Sequence, residues 1–394
     1  MTDRMADETD EYWKKVESNV GQRVADVVLE RFNKVSVKSG KPTIRSNGVK
    51  EWTVLSGLVA LIPSQQNEIP SIDPLVVATG AKVLPERVRS YSRGFVVHDQ
   101  HAEILALRLF NWYLVEECRR VHLEGKESKL VEKIEGTNKF KMRDVKLALY
   151  VSEPPCGDAS ATYLEESIGQ SENWDFESKG DGVDSSILRG RSYFGKRGEV
   201  RTKPGRGDSL LSLSKSCSDK LCLRQYLGIT NAINSHLFPQ GVYLDYLILP
   251  REKYKNIDLE RCFRTRFELE EAEVHYLKAL VYDKDDFQYR RPGAEELSEP
   301  SHLSLLYVVP TNSIQVLNRG VRNGCFVKNK RPRPGGECFI CNQMLYRRAQ
   351  PLLHHNSSTY IQFKHSNFTR QMRKIKAKHA LHDGLQTTRD DFDL

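Results

Sequence analysis

The sequence predicts an α/β protein, one mixed sheet with helices on both faces, in a single domain spanning residues 1–394. Two observations carry this. Short runs rich in Val and Leu, bounded by Pro and Gly, read as buried strands and alternate with longer stretches of helical periodicity. No linker or internal repeat divides the chain, and alternating strands and helices assemble into layered folds. In order, RVADVVLERFNKV (23–35) has helical spacing, and EWTVLSGLVALIP (51–63) and PLVVATGAKVLP (74–85) read as strands. From His101 to about residue 119, Ile104, Leu105, Leu107, Leu109, Phe110 and Tyr113 predict a mostly buried helix. VKLALYV (145–151) alternates as a strand does and ends at SEPPCGD, a proline-marked helix start. GVYLDYLILP (241–250) and SHLSLLYVVP (301–310) supply two further strands. Residues 163–187, acidic and rich in Gly and Ser, predict a flexible insertion.

Composition narrows the class. At 39% hydrophobic and 28% charged, the 394-residue chain suits a folded globular protein and excludes a disordered one. No apolar run approaches the ~18–20 residues of a membrane helix. The acidic start, MTDRMADETDEYWKK, is neither a secretory signal nor a transit peptide, so cytoplasm or nucleus is expected. There the eight scattered cysteines stay reduced, either packed or bound to metal. The net charge of +8 is concentrated. Residues 319–333 hold six Lys or Arg, residues 364–379 hold six Lys or Arg and two His, and neither run has an acid. Two such runs point to a polyphosphate ligand.

The chemistry lies in HAE (101–103) and PPCGDAS (154–160). Zinc held by imidazole and thiolate, with one position open, lowers the pKa of a bound water to roughly 7. Hydrolytic deamination of a nucleobase needs that nucleophile and a carboxylate that carries its proton to the ring and the leaving amine. Zinc base deaminases meet both needs with H-x-E followed by P-C-x-x-C. Here Ala159 stands three residues after Cys156, so a third ligand must come from elsewhere. Cys217 in SKSCSDKLCLRQYLGI, at a polar-to-apolar transition that reads as a helix start, is the candidate, and Cys222 reads as core.

Together, ATGAKVL, HDQHAEILALRLF, SEPPCGDAS, RTKPGRGD, SCSDK and LGITNAI resemble the adenosine deaminases that act on RNA, most closely their eukaryotic tRNA-specific branch. The resemblance implies a cytidine-deaminase-like core from about residue 50 to 394, zinc on His101, Cys156 and Cys217, and Glu103 as proton shuttle. It implies deamination of adenosine to inosine at position 37, beside the anticodon of alanine tRNA. It further implies a buried inositol hexakisphosphate held by Arg108, Lys220, Arg224, Lys364 and Lys374, with Lys220, Asp99 and Lys203 relaying to the zinc. Two positions depart from the family: Leu107 stands where an arginine is frequent, and Arg224 where a tryptophan is. Lys82, Arg201 and Arg206 are the RNA-contact candidates, the last in the cationic Gly-rich stretch KPGRGD (203–208). Cys338-Phe-Ile-Cys341 has metal-ligand spacing but no completing pair, and reads as packed thiols. A monomer is expected, with tRNA as partner and neither membrane nor DNA. The alternatives are adenosine deamination in double-stranded or messenger RNA, and a catalytically silent RNA-binding zinc protein.

Overall fold

The computed structural model describes residues 2–64, 69–168, 188–190, 195–203, 209–293, 296–387 and 390–394, with side chains from residue 11 onward. Its first element, α1 (Thr2–Lys34), is much longer than the periodic run at 23–35. Trp13, Val16, Val20, Val24, Val28 and Phe32 recur every three or four residues and form one buried stripe.

The main sheet is built from β1 (Leu55–Ile62), β2 (Ser71–Thr79), β5 (Lys146–Val151), β6 (Tyr246–Pro250), β7 (Lys278–Tyr282), β8 (Leu303–Val308), β9 (Ser313–Asn318) and β10 (Val321–Arg322). A separate ladder pairs β3 (Ala81–Val83) with β4 (Asp99–His101). The main sheet runs β7-β6-β5-β1-β2-β8-β9-β10. The β7, β6 and β5 strands are parallel, and every other pair is antiparallel. This is the mixed sheet that the alternation implied. Strands β9 and β10 carry mixed polar sequence, and β7, KALVY, is only five residues long without bounding Pro or Gly.

Period-two alternation explains why both faces are covered. Leu147, Leu149 and Val151 of β5 enter one core, and Ala148 and Tyr150 enter the other, beneath α1. The first core is closed by α2 (Ala102–Leu123) and α3 (Cys217–Leu227), with α4 (Phe368–Ala380) contributing Ala377 and Ala380. Among the described residues, no helix is long and apolar enough to cross a membrane. All eight cysteines are free.

After PPCGD the chain makes a 3-10 turn, Asp158–Ser160, and the α-helix begins only at Ala161. Of the expected insertion, 163–168 complete that helix and 169–187 lie outside the described residues.

Candidate metal centre and cation cluster

Two close backbone approaches bring three distant segments together. Gly80, between β2 and β3, has φ 157, and a Cβ there would lie 2.0 Å from the Gln100 carbonyl oxygen. Its carbonyl accepts from the Ala102 amide (3.0 Å), which fixes His101 as the N-cap of α2 and Glu103 in its first turn. Gly157 has φ 107, and a Cβ there would lie 2.4 Å from Ser216 Oγ. Only glycine lets the chain just after Cys156 press against the start of α3.

The SCSDK motif builds that contact residue by residue. Ser216 is the N-cap of α3 and accepts from the Asp219 amide (3.1 Å). Cys217 is thereby the first helical residue, and its amide donates to Cys156 Sγ (3.4 Å). Ser218 donates to the Pro155 carbonyl (2.9 Å) and accepts from the Ala159 amide (3.0 Å). Asp219 accepts from Arg266 (2.8 Å) and from the Arg201 amide (3.0 Å). The helix N-terminus facing the Cys156 sulfur is therefore that of α3, not one begun by PPCGD itself.

The ligand atoms of His101, Cys156 and Cys217 all lie within 4.8 Å of one another, the one such His/Cys/Asp/Glu group among the described residues. Zinc–sulfur bonds of about 2.3 Å and zinc–nitrogen bonds of about 2.0–2.1 Å place tetrahedral ligands roughly 3.5–3.8 Å apart. The distance from Cys156 Sγ to His101 Nδ1 is 3.7 Å. His101 and Cys156 are half-buried and Cys217 is buried, so three protein donors converge with one side open. The donor set and its spacing fit zinc. Glu103, only 3% exposed, stands close enough for its charge to be felt at Cys217 and Lys203.

A buried polar chain runs behind this trio. Lys203 Nζ donates to both Asp99 oxygens (3.0 and 2.9 Å) and to Cys217 Sγ (3.0 Å). Lys220 pairs with Asp99 and donates to Ser214 Oγ (2.6 Å), which donates to Asp99 in turn (3.2 Å). Burial alone would raise the Asp99 carboxyl, but Lys203 and Lys220 outweigh it and hold the group well below its ordinary range. Burial likewise opposes the Lys203 charge, and Asp99, Cys217, Cys156 and Glu103 together push its pKa well above normal. A hydrogen bond from Cys217 holds Cys156 well below the ordinary thiol range despite burial. Burial, then the neighbouring Cys156, pushes Cys217 up.

Cations gather on the far side of Lys220. Arg224 donates to the Ile229 carbonyl (3.0 Å), Arg370 to the Thr230 carbonyl (2.7 Å), and Arg108 to the Ile340 carbonyl (3.1 Å) and Asn342 Oδ1 (3.0 Å). Arg108 Nε is buried without a hydrogen-bond partner. Burial, then the charges of Arg370 and Arg108, lowers Arg224 to about 10. Burial, then Arg373, lowers Arg370 to about 10. Lys374 falls to about 8 through desolvation and then the neighbouring Lys364. The Lys374 side chain is exposed, so its charge is only partly desolvated. The sequence-predicted Arg108, Lys220, Arg224, Lys364 and Lys374 thus share one neighbourhood. Arg370, which the sequence reading passed over, belongs with them, one helical turn before Lys374 on the same face of α4.

The adenosine-deaminase (editase) domain model matches residues 76–383. The chain belongs to that family. It is similar to the tRNA-specific adenosine deaminase 1 of Saccharomyces cerevisiae, 32% identical over 95% of this chain and 94% of that protein. It is 33% identical to the protein of that name from Schizosaccharomyces pombe, over 95% and 97% respectively. The double-stranded RNA-specific editase B2 of Mus musculus is 25% identical over 75% of this chain and 39% of its own length. This chain is an adenosine deaminase, a hydrolase that forms inosine.

The remaining candidates of this deaminase fall in different places. Lys82 is half-buried on β3, opposite Gln100 and one residue from the His101 pairing. Arg201 is 3% exposed, and its guanidinium donates to the Gly190 (3.5 Å) and Lys196 carbonyls. It braces the chain from inside, so its side chain does not present the RNA-facing cation that the sequence suggested. Arg206 lies outside the described residues, as does 204–208 of the Gly-rich stretch. Cys338 and Cys341 are fully buried, with burial pushing both thiols up, so they pack as core.

Proposed function

We propose that this chain is a zinc-dependent tRNA adenosine deaminase acting at position 37, beside the anticodon of alanine tRNA. The observation that carries the zinc chemistry is the convergence of His101, Cys156 and Cys217 with Glu103 two residues beyond the histidine. The names of the fungal relatives support the tRNA class. Zinc on these three donors would supply the Lewis acidity that brings a water's pKa to about 7. Glu103 carries one proton of the attacking water to N1 of the purine and then the second, from the new hydroxyl, to the leaving amine, so adenosine and water become inosine and ammonia. Lys203, anchored by Asp99, holds the Cys217 sulfur in place and balances the charge of its thiolate. The test is to incubate purified protein with transcribed alanine tRNA, and separately with double-stranded RNA, and to sequence for inosine. No inosine at position 37 would overturn the reading.

The cation cluster is assigned to inositol hexakisphosphate as a structural cofactor. Its support is the orphaned Arg108 Nε and the charges of Arg370 and Arg108 felt at Arg224. Each unpaired buried ion costs several kcal/mol, against a whole stability of about 5–15 kcal/mol. The polyphosphate should co-purify at about one per chain, and cells unable to make it should yield insoluble or inactive protein. Soluble, active protein free of polyphosphate by mass spectrometry would refute the assignment.

A further inference from the structure

A second cavity, of about 220 Å³, lies outside the metal centre and the cation cluster. Its apolar wall is formed by Val96, Val321, Tyr91 and Phe326, part of a small core of its own. Its rim carries Arg87, Arg319, Lys328 and Lys330, all exposed, and no carboxylate among the described residues lines it. Arg319 lies over the Phe326 ring at 4.8 Å, and the charges of Arg87 and Arg319 are both felt at the Tyr91 hydroxyl.

The cavity is tied to the strand that carries His101. The β9–β10 hairpin turns through Arg319 and Gly320, with φ 50 and 79 between the paired Asn318 and Val321. A long side chain at the first left-handed position is unfavourable where Asn or Asp is the usual choice, and Arg319 holds that position at the cavity rim. The Gly320 amide donates to Gln100 Oε1 (3.0 Å), and its carbonyl accepts from the Val97 amide (2.9 Å). Leu84, in the cavity wall, lies three residues from Ala81, the partner of His101 in the β3–β4 ladder. At about 3.3 Å per residue, that is ~10 Å from the metal centre along the strand.

We propose that this cavity holds one unstacked nucleobase of the RNA substrate, within three nucleotides of the adenosine undergoing deamination. The base lies against Tyr91 and Phe326, and its flanking phosphates meet Arg87, Arg319, Lys328 and Lys330. Aromatic faces with cations at their edge are the general means of holding single-stranded RNA. The volume is below the ~300–1,000 Å³ of drug-sized ligand sites, so it suits a lone base rather than a nucleotide cofactor. The cavity rests on the RNA-deaminase reading and would make it selective for an adenosine in a loop, where neighbouring bases are free to leave the stack.

The test measures binding of transcribed alanine tRNA by the full chain at fixed salt, with an abasic nucleotide placed at each position within three of the edited adenosine. Phe326→Ala should weaken binding about 5- to 150-fold, the equivalent of ~1–3 kcal/mol of stacking. One abasic position should weaken wild type by a similar factor and leave Phe326→Ala no weaker than before. Lys328→Glu with Lys330→Glu, both on exposed side chains, should weaken every transcript and flatten the salt dependence, which keeps the test open if Phe326→Ala fails to fold. Abasic losses that add fully to Phe326→Ala at every position would overturn the cavity, as would an acidic peptide that binds there in place of RNA. Inosine formation is scored in parallel. Turnover with additive losses sinks the cavity alone, and the expected binding pattern without inosine sinks the deaminase assignment alone.

Discussion

Replacing Lys203 by Met tests whether the metal centre depends on the charge chain behind it. The ammonium is buried at 3% exposure and makes three contacts of 2.9–3.0 Å, two to Asp99 and one to Cys217 Sγ. Methionine keeps most of the volume and removes the charge. Breaking a buried ion pair costs about 3–5 kcal/mol. Asp99 would keep Lys220, Ser214 and the His101 amide (3.1 Å), which moves the expected loss to the lower end, about 3 kcal/mol. At ~2–4 °C per kcal/mol for large domains, the melting temperature should fall by roughly 6–12 °C. Loss of the donor to Cys217 should weaken zinc about 10- to 100-fold, the usual effect of removing a partner of a metal ligand. Thermal melts and competition with a chromophoric chelator measure the two effects. Adding Asp99→Asn should cost less than its effect on wild type, because the carboxylate has already lost one of its cations. A melt within 1 °C of wild type with unchanged zinc affinity would refute the chain.

Three further outcomes follow from the same geometry. Glu103→Gln should lower turnover by at least ~10²-fold while zinc content and melting temperature stay unchanged, since the side chain moves protons and is outside the ligand trio; inosine sequencing and metal analysis decide it. Cys217→Ala should lose stoichiometric zinc and Cys222→Ala should keep it, because the Cys222 thiol is buried in the core and pushed up to about 12 by that burial. His98 is lowered to about 3, by burial first and then by Arg89 and Arg108, with Asp99 opposing and Asp390 4.0 Å away. The unfolded chain takes up this proton near pH 6.5 and the folded protein does not, so stability should fall as pH drops from 6.5, by roughly 1.4 kcal/mol per unit. Denaturation between pH 6.5 and 4.5 should show a slope that His98→Gln reduces, and equal slopes would count against it.

HAE and the P-C pair supplied two of the three donors that converge in the structure, because a metal-binding chemistry constrains residue type at short spacing. Strands β1, β2, β5, β6 and β8 and helix α2 were legible because their burial leaves continuous or periodic apolar runs. The first two-thirds of α1 was not: its buried stripe of Trp13, Val16 and Val20 is thin, and much of its surface is polar. Within the motifs, sequence supplied the residue types but not their work. Gly157 matters because the Ser216 hydroxyl would meet its Cβ, and Ser218 because it bridges the Pro155 carbonyl and the Ala159 amide across some sixty residues of chain. Arg201 shows the opposite limit, a cation in a basic stretch that folding turned inward onto backbone carbonyls.

The amino-acid sequence by itself determined the layered α/β class and the residue types of the candidate centre, since apolar period and donor type are local properties. Tertiary structure alone decided that residues 99, 203, 214, 217 and 220 form one charge chain, and that Arg224 stands close enough to Arg108 and Arg370 to feel both their charges. It also set the Tyr91–Phe326 cavity one ladder away from His101. The physical reason is common to all three. Coulomb energy and desolvation depend on distance and burial in space, and neither is encoded by separation along the chain.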